Sequence, residues 1–373
     1  MYKIFNYETG VKYAKTGVFR GVTYMSERLK KSIHKIYNHS SSTMYELEDN
    51  SVDLVVTSPP YPMIAMWDDC FISQDASIKT CFSAIEYHSA WLKMHKILET
   101  VWIEVARVVK PGGFVCINIG DATRTFDDVF QLFSNHSKII EFFTSHGFCC
   151  LPDILWRKPS NSPNKFMGSG MLPAGAYVTL EHEYILIFRK GGKRKFTDKE
   201  KVIRQRSAYF YNERNEWFSD TWLVRGTTQK GVKGSRDRSG AYPVEIPYRL
   251  INMYSIMGDT ILDPFGGLGT TLMASIMSCR NSISYELDKT LCEYMYDRVE
   301  GETFWSRRRS ERLGVQASQI EIEKEKGKDK FYPNVMLGIE VKTGQEKYAI
   351  LPIVSDVHIN RDVLNGVINI NYI

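Results

Sequence analysis

Short valine- and isoleucine-rich runs, each closed by glycine, proline or charge and separated by stretches of helical spacing, constrain the fold of this chain more than any other feature. SVDLVV, residues 51–56, reads as a buried strand, and it ends in the stiff tip TSPPY, residues 57–61. GFVCINIG from Gly113, DILWRK, YILIFRK, TILDPF and SISYELD read as further strands. Between them, residues 86–109 carry apolar side chains at helical spacing and stop at Lys110-Pro111-Gly112-Gly113. A shorter helix is expected over residues 126–146, ended by Gly147, and another over YPVEIPYRLINMYSIMGD. Such strand–helix–strand alternation predicts an α/β chain on a Rossmann-like, doubly wound, mostly parallel sheet.

Composition shifts at Gly191. Between Arg189 and Arg206, nine Lys or Arg stand against two acids; glycines, polar residues and scattered aromatics follow through Gly240. That stretch reads as an insertion rather than as sheet. The tail opens with Arg307-Arg308-Arg309, which reads equally as phosphate-contacting or as facing water, passes through EIEKEKGKDK and closes in alternating β-like stretches. The expected organisation is a first half over 1–190, an insertion over 191–240, the second half of the same domain over 241–300 and a C-terminal extension over 301–373.

The net charge of +5 permits a nucleic-acid partner without demanding one. The seven cysteines are odd in number and include no CxxC, so free thiols in a reducing cytoplasm are expected, with no metal site. The opening MYKIFNYETGVKY has no apolar core of a secretory signal, and no run approaches the roughly 18 apolar residues of a membrane span. The expected location is cytoplasmic.

Asp263-Pro264-Phe265-Gly266-Gly267-Leu268-Gly269-Thr270-Thr271 lies between a strand and a helix, where glycines let backbone approach a ligand at a helix N-terminus. No lysine follows Gly269, so this is not a P-loop; the order GGLG is not the dinucleotide fingerprint either. Pyrophosphate is therefore not the natural ligand. In Tyr285-Glu286-Leu287-Asp288, an acid at the end of the next strand is placed to accept from ribose hydroxyls. A nucleoside without phosphates fits both features, and S-adenosylmethionine is the expected cofactor. The alternative is a plain tight turn beside a surface acid.

TSPPY followed by DPFGGLGTT resembles the signature pair of the S-adenosylmethionine-dependent DNA amino-methyltransferases, in the permuted order called the beta class. RVVKPGGFVCINIGD, ILWRKPSNSPN, EHEYILIFRKGG and YPVEIPYRLINMYS are similar to the intervening segments, so the resemblance covers residues 35–290. It implies a class I methyltransferase fold. It also implies transfer of a methyl group to an exocyclic base amine by Ser58, Pro59, Pro60 and Tyr61. Asp263, Pro264, Phe265, Gly266, Gly267, Gly269, Thr270, Glu286 and Leu287 are implied to hold the cofactor. The chemistry agrees with the residues. An amine conjugated to a base ring is a poor nucleophile, and acceptors such as Ser58 Oγ and the Pro59 carbonyl draw on its hydrogens. Two prolines hold that carbonyl outward, and Tyr61 offers a face to an extruded base.

In this family serine at the first position usually goes with cytosine N4, and Asp or Asn with adenine N6. The resemblance thus implies N4 methylation, with N6 methylation of adenine the alternative. Carbon-5 methylation needs a cysteine nucleophile, typically after proline, and no Pro-Cys pair occurs. One departure stands at Asn38-His39-Ser40-Ser41, where the family often places an acid for the cofactor adenine. His39 reads as a satisfied turn histidine, or alternatively as a general base.

Between the EHEYILIF and YPVEIPYRL segments, the family carries its target-recognition region. Arg204, Gln205, Arg206, Arg214, Arg225, Gln229, Lys230, Lys233, Arg236 and Arg238 supply the charge and base-reading groups expected there. Duplex DNA is the expected partner, and the resemblance adds a bacterial restriction–modification setting with an endonuclease of the same specificity. The competing readings are an RNA or protein amide methyltransferase and a non-catalytic DNA-binding module. Glutamine-modifying relatives carry NPPY after their cofactor loop, the opposite order, and the intact SPPY and glycine loop weigh against the module.

Overall fold

A computed structural model describes residues 27–126, 128–158, 167–226, 242–301, 304–362 and 365–373. Its centre is a ten-stranded sheet. In chain order the strands are β1 (Lys31–Tyr37), β2 (Val52–Thr57), β3 (Val109–Ile119), β4 (Phe148–Arg157), β5 (His182–Lys190), β6 (Thr221–Leu223), β7 (Thr260–Asp263), β8 (Asn281–Tyr285), β9 (Val354–Asn360) and β10 (Asn365–Tyr372). They lie in the order β6-β4-β5-β3-β2-β7-β8-β1-β10-β9, and only β5 and β10 run against the rest. The mostly parallel, doubly wound α/β sheet expected from the sequence is what forms.

β2 is buried along its whole length because helices cover both faces. Its side chains alternate: Val55 packs with Val115 and Leu262 on one face, Leu54 and Val56 with Cys116 and Ile261 on the other. The first face is covered by α1 (Tyr87–Val108), whose Trp91, Met94, Leu98, Val101, Trp102, Val105 and Val108 fall on one helical stripe. The second face is covered by the helices Glu245–Tyr254 and Thr270–Met277, through Ile246, Leu250, Ile251, Ala274 and Met277. α1 ends at Val108, before Lys110-Pro111. Gly112 is required there: its φ is +81°, and a Cβ would come 2.7 Å from the Arg194 backbone nitrogen.

Three differences from the sequence reading have physical causes. The expected 126–146 helix is instead a hairpin, Ala122–Phe126 with Val129–Phe133, followed by a helix over Asn135–Ser145. Phe126, Val129, Phe130 and Phe133 have helical spacing, but Asp128 takes a left-handed turn (φ +65°) and Phe126 stacks on Tyr87. The 191–226 stretch is not devoid of sheet: after helices Asp198–Arg206 and Tyr211–Trp217, β6 pairs with β4 at the sheet edge. The end of the tail completes the central sheet, with β10 pairing β1 from Lys31 with Asn371 to Tyr37 with Asn365. Ile368, Ile370 and Tyr372 are buried there, and Gly366 admits the Tyr296 hydroxyl where a Cβ would clash at 1.7 Å.

The rest of the tail is docked rather than free. On the helix Phe304–Glu325, Arg312 forms a buried fork on Glu213 (2.5 and 2.6 Å). Arg308 pairs with Glu245 (2.5 Å) over the Tyr248 ring, Arg309 donates to the Leu351 carbonyl, and Arg307 pairs with Glu311 in solvent. All seven cysteines are free. Among the described residues no helix is long and apolar enough to cross a membrane.

Candidate active site

The chain leaves β2 toward β3 and leaves β7 toward β8, in opposite directions, although β2 and β7 are neighbours. Their carboxyl ends therefore flank a switch point, where open α/β sheets form ligand crevices. β2 delivers Ser58-Pro59-Pro60-Tyr61 and β7 delivers Asp263 and the glycine loop. The Thr57 hydroxyl donates to Asp263 Oδ1 (2.7 Å) and ties the two tips together. A cleft of about 380 Å³ opens there. Ser58, Pro59, Pro60, Tyr61, Asp263, Pro264, Phe265, Gly266, Gly267, Thr270, Glu286 and Leu287 all line it.

Gly269 is not in the wall. It precedes the Thr270–Met277 helix with φ +72°, and a Cβ on it would stand 2.9 Å from Met295 Cγ. Gly266 packs against β8, where a Cβ would lie 3.2 Å from the Tyr285 carbonyl and 2.8 Å from Met295 Cε. The Glu286 carboxylate closes the loop, accepting from the amides of Gly267 (2.8 Å) and Asp288 (2.9 Å). Burial pushes the Asp263 carboxyl above its ordinary value, while hydrogen bonds from Thr57 and the Phe265 amide pull it back.

At the base end, sequence reasoning missed three side chains that the fold brings to the tetrad. Asn118, the one amide in the buried run of β3, donates to the Tyr61 hydroxyl (2.6 Å) and to Glu183 Oε2 (2.7 Å). Tyr61 donates to the same Glu183 oxygen (2.9 Å), and Ser58 Oγ lies 3.0 Å from the Tyr61 hydroxyl. Lys158, at the end of β4, pairs with the other Glu183 oxygen. Burial, and then the Glu183 charge, hold the Tyr61 phenol well above its ordinary value. Gly120 backs the Tyr61 ring, since a Cβ would meet it at 3.1 Å. Asn135 fixes the whole tip: its amide donates to the carbonyls of Pro62 (2.9 Å) and Gly120 (3.0 Å), while Trp91 donates to its oxygen (2.8 Å). The polar Asn118 inside INIG and the acid opening HEYILIF were the available signals; their meeting was not legible.

His39 lines the cofactor end of the cleft. Its Nε2 meets Glu46 Oε1 (2.6 Å) and its Nδ1 the Ser40 carbonyl (3.0 Å). Both ring nitrogens are thus engaged within the protein, on partners of its own turn region. The acid of this region is Glu46, which also accepts from the Tyr285 hydroxyl (3.0 Å). Burial raises the Glu46 carboxyl, but a backbone hydrogen bond together with His39 and Tyr285 outweighs it and holds the group below its ordinary value.

The candidate DNA contacts separate. Arg225 is exposed just past β6, which runs parallel to β2 and so points its end toward the cleft edge. The helix bearing Arg204 and Arg206 lies at the opposite edge, beside the start of β7: Met257 N donates to Ser207 Oγ (2.9 Å), and nearby Arg194 forks onto Asp259 (2.7 and 3.1 Å). Arg204 stands over the Phe196 ring, and the Arg206 carbonyl accepts from Ile350 N (3.0 Å). Arg214 is exposed on the helix whose Glu213 grips Arg312. Gln229, Lys230, Lys233, Arg236 and Arg238 lie outside the described residues. Beyond them the chain returns at Tyr242, which lines the cleft and bonds Thr271 Oγ1 (2.6 Å).

Residues 52–297 match the profile of a family described as DNA methylase. The chain is 53% identical over 273 residues to the Type II methyltransferase M.MthZI of Methanothermobacter thermautotrophicus, covering 72% of this chain and 77% of that one. It is 52% identical over 277 residues to the Type II methyltransferase M.MjaI of Methanocaldococcus jannaschii, covering 71% and 91%. Among solved structures it is similar to a protein of Thermus thermophilus assigned as a DNA modification methylase and crystallised with S-adenosyl-L-methionine. The TM-score is 0.55 and the identity 29%, over 71% of this chain and 92% of that one.

Proposed function

This chain belongs to the DNA methylase family of S-adenosylmethionine-dependent amino-methyltransferases, and from that premise we propose that it methylates the N4 amine of a cytosine swung out of duplex DNA. The observation that carries the reading is the single cleft shared by the Ser58 tip and the Gly266 loop.

The cleft wall suits the cofactor. It holds the carboxylates of Asp263, Glu286, Asp288 and Glu183 against one ammonium, Lys158, which is already paired. Such a wall favours a cationic ligand and repels pyrophosphate. Glu286 and Asp288 are the acids available to ribose hydroxyls, and Phe265 and Leu287 supply apolar walls for an adenine. When bound, S-adenosylmethionine supplies an electrophilic methyl carbon.

The chain's own contribution is to orient the amine. Ser58 Oγ and the Pro59 carbonyl accept its hydrogens, returning lone-pair density from the ring to nitrogen. Tyr61 is pinned by Asn118 and Glu183 at its hydroxyl and by Gly120 behind its ring, so it presents a preset surface to the base. Extrusion of the base follows from reach, since the amine of a stacked pair lies inside the duplex. Arg225, exposed just past the carboxyl end of β6, is the candidate for a phosphate contact at this end of the sheet. The Type II names of the two relatives cited support a restriction–modification role, with an endonuclease of the same specificity as functional partner in the cytoplasm.

Mass spectrometry of nucleosides from duplex DNA treated with the protein and S-adenosylmethionine tests the reading. N4-methylcytosine is expected. N6-methyladenine would reassign the base, and unmodified DNA with methylated RNA or protein would reassign the substrate. Ser58→Ala is expected to abolish transfer while cofactor binding persists; full activity would remove the mechanism.

A further inference from the structure

We propose that Glu183 is the final acceptor of the proton that the target amine sheds, reached through the hydroxyls of Ser58 and Tyr61. The proposal rests on the amine-methylation reading above and goes beyond it by giving the proton a destination.

The direction of the chain of hydroxyls follows from its fixed members. An ionised carboxylate only accepts, so Tyr61, 2.9 Å from Glu183 Oε2, must donate to it. The Asn118 amide group likewise turns its N–H bonds toward Tyr61 (2.6 Å) and Glu183 (2.7 Å). With its one hydrogen committed, the Tyr61 oxygen can only accept from Ser58, 3.0 Å away, and Ser58 must donate to it. Every hydrogen in the series thus points at Glu183. Ser58 Oγ takes one long contact from the Asn118 amide (3.5 Å), and its other lone pair is left for the cleft that Ser58 lines, where the amine's hydrogens arrive. Lys158 on Oε1 holds the carboxylate at the end of the line.

The need for such a line is chemical. As the amine nitrogen takes the methyl, its N–C bond forms, the sulfonium C–S bond breaks and the electron pair stays with sulfur. The nitrogen then carries a positive charge and one proton too many. A serine hydroxyl cannot hold that proton, because a protonated alcohol is a very strong acid. It can receive the amine proton only by releasing its own at the same time to Tyr61, which releases its proton to Glu183. The products are a neutral methylamine, a neutral thioether and a protonated Glu183, with Ser58 and Tyr61 restored. Tyr61 does not ionise on the way; burial and the Glu183 charge both oppose its phenolate. The Glu183 side chain is partly open to solvent (14%), so the proton can leave after the step.

Three variants test this: Glu183→Gln, Tyr61→Phe and the two combined. Single-turnover methyl transfer to duplex DNA is measured in light and heavy water. Cofactor binding is followed by calorimetry, and base extrusion by the fluorescence of 2-aminopurine at the target position. Each single variant is expected to slow transfer at least about 100-fold, the lower range for general acid–base catalysis. Cofactor affinity and extrusion should stay within about threefold of wild type, the combined variant should be no slower than either single one, and the wild-type solvent isotope effect should shrink in both. Tyr61→Phe keeps the ring, so a purely stacking role predicts nearly full activity. That result overturns the relay, as do additive losses or a loss matched by weaker binding. A wild-type protein that methylates no amine in DNA fails at the earlier reading instead.

Discussion

Replacing Thr57 with valine keeps the shape of the β2 end and removes only the hydroxyl that joins the two motif-bearing tips. In the wild type that hydroxyl donates to Asp263 Oδ1 at 2.7 Å, in a place where both side chains are buried. A hydrogen bond to a buried charge contributes about 1.5–3 kcal/mol. The Phe265 amide (3.1 Å) remains as a partner of Asp263, which sets the expected loss near the lower half of that range. We expect Thr57→Val to lose about 2 kcal/mol, roughly thirtyfold in an equilibrium, divided between folding stability and cofactor affinity. Denaturant unfolding and calorimetric titration with S-adenosylmethionine read the two parts. The pH dependence adds a second check. The folded Asp263 carboxyl lies above its ordinary value, so it favours folding when protonated, and that contribution is lost as pH rises through the folded value. Without Thr57 the folded value rises further. The deficit of the variant should be widest near neutral pH and should close as pH falls through the carboxylate range. A total effect below about 0.5 kcal/mol, within the spread of unremarkable substitutions, would refute the strap.

Gly269→Ala should lose stability from two sources, about 1–2 kcal/mol for a left-handed backbone and about 1–3 kcal/mol for crowding Met295, read by denaturant unfolding. Arg225→Ala should weaken DNA binding and lower the slope of log affinity against log salt by about one, whereas Arg204→Ala at the far edge should change neither. Arg312→Ala leaves Glu213 buried without its partner and should cost about 3–5 kcal/mol, with the helix Phe304–Glu325 becoming an early site of proteolysis.

The sheet core was legible because its signals are local. β2, β7 and α1 announce themselves by composition and spacing, and each carboxyl end is marked by glycine or proline within a few residues. Partners far along the chain were not legible. The alternation of Asn365–Tyr372 shows a strand, yet nothing in it names β1, near the other end of the chain, as its neighbour. The direction of β5 leaves no mark either, since parallel and antiparallel strands bury the same residue types. The same distinction divides the site. SPPY and the glycine loop are contiguous and were readable, whereas Asn118, Lys158 and Glu183 meet only once three strands are laid side by side. Counting Lys and Arg could not tell which edge of a sheet they occupy, so Arg204 and Arg206 were grouped with Arg225 although the fold sets them apart. Arg308 pairs with Glu245, and Arg309 gives one hydrogen bond to the Leu351 carbonyl.

A crystal structure with duplex DNA and a non-reactive analogue of S-adenosylmethionine would test the central claim most directly. We expect an extruded cytosine against Tyr61, its amine within hydrogen-bonding distance of Ser58 Oγ and the Pro59 carbonyl, and the analogue in the same cleft between the Gly266 loop and Glu286. A stacked, paired target base, or an analogue held in a cavity apart from Ser58, would contradict the account.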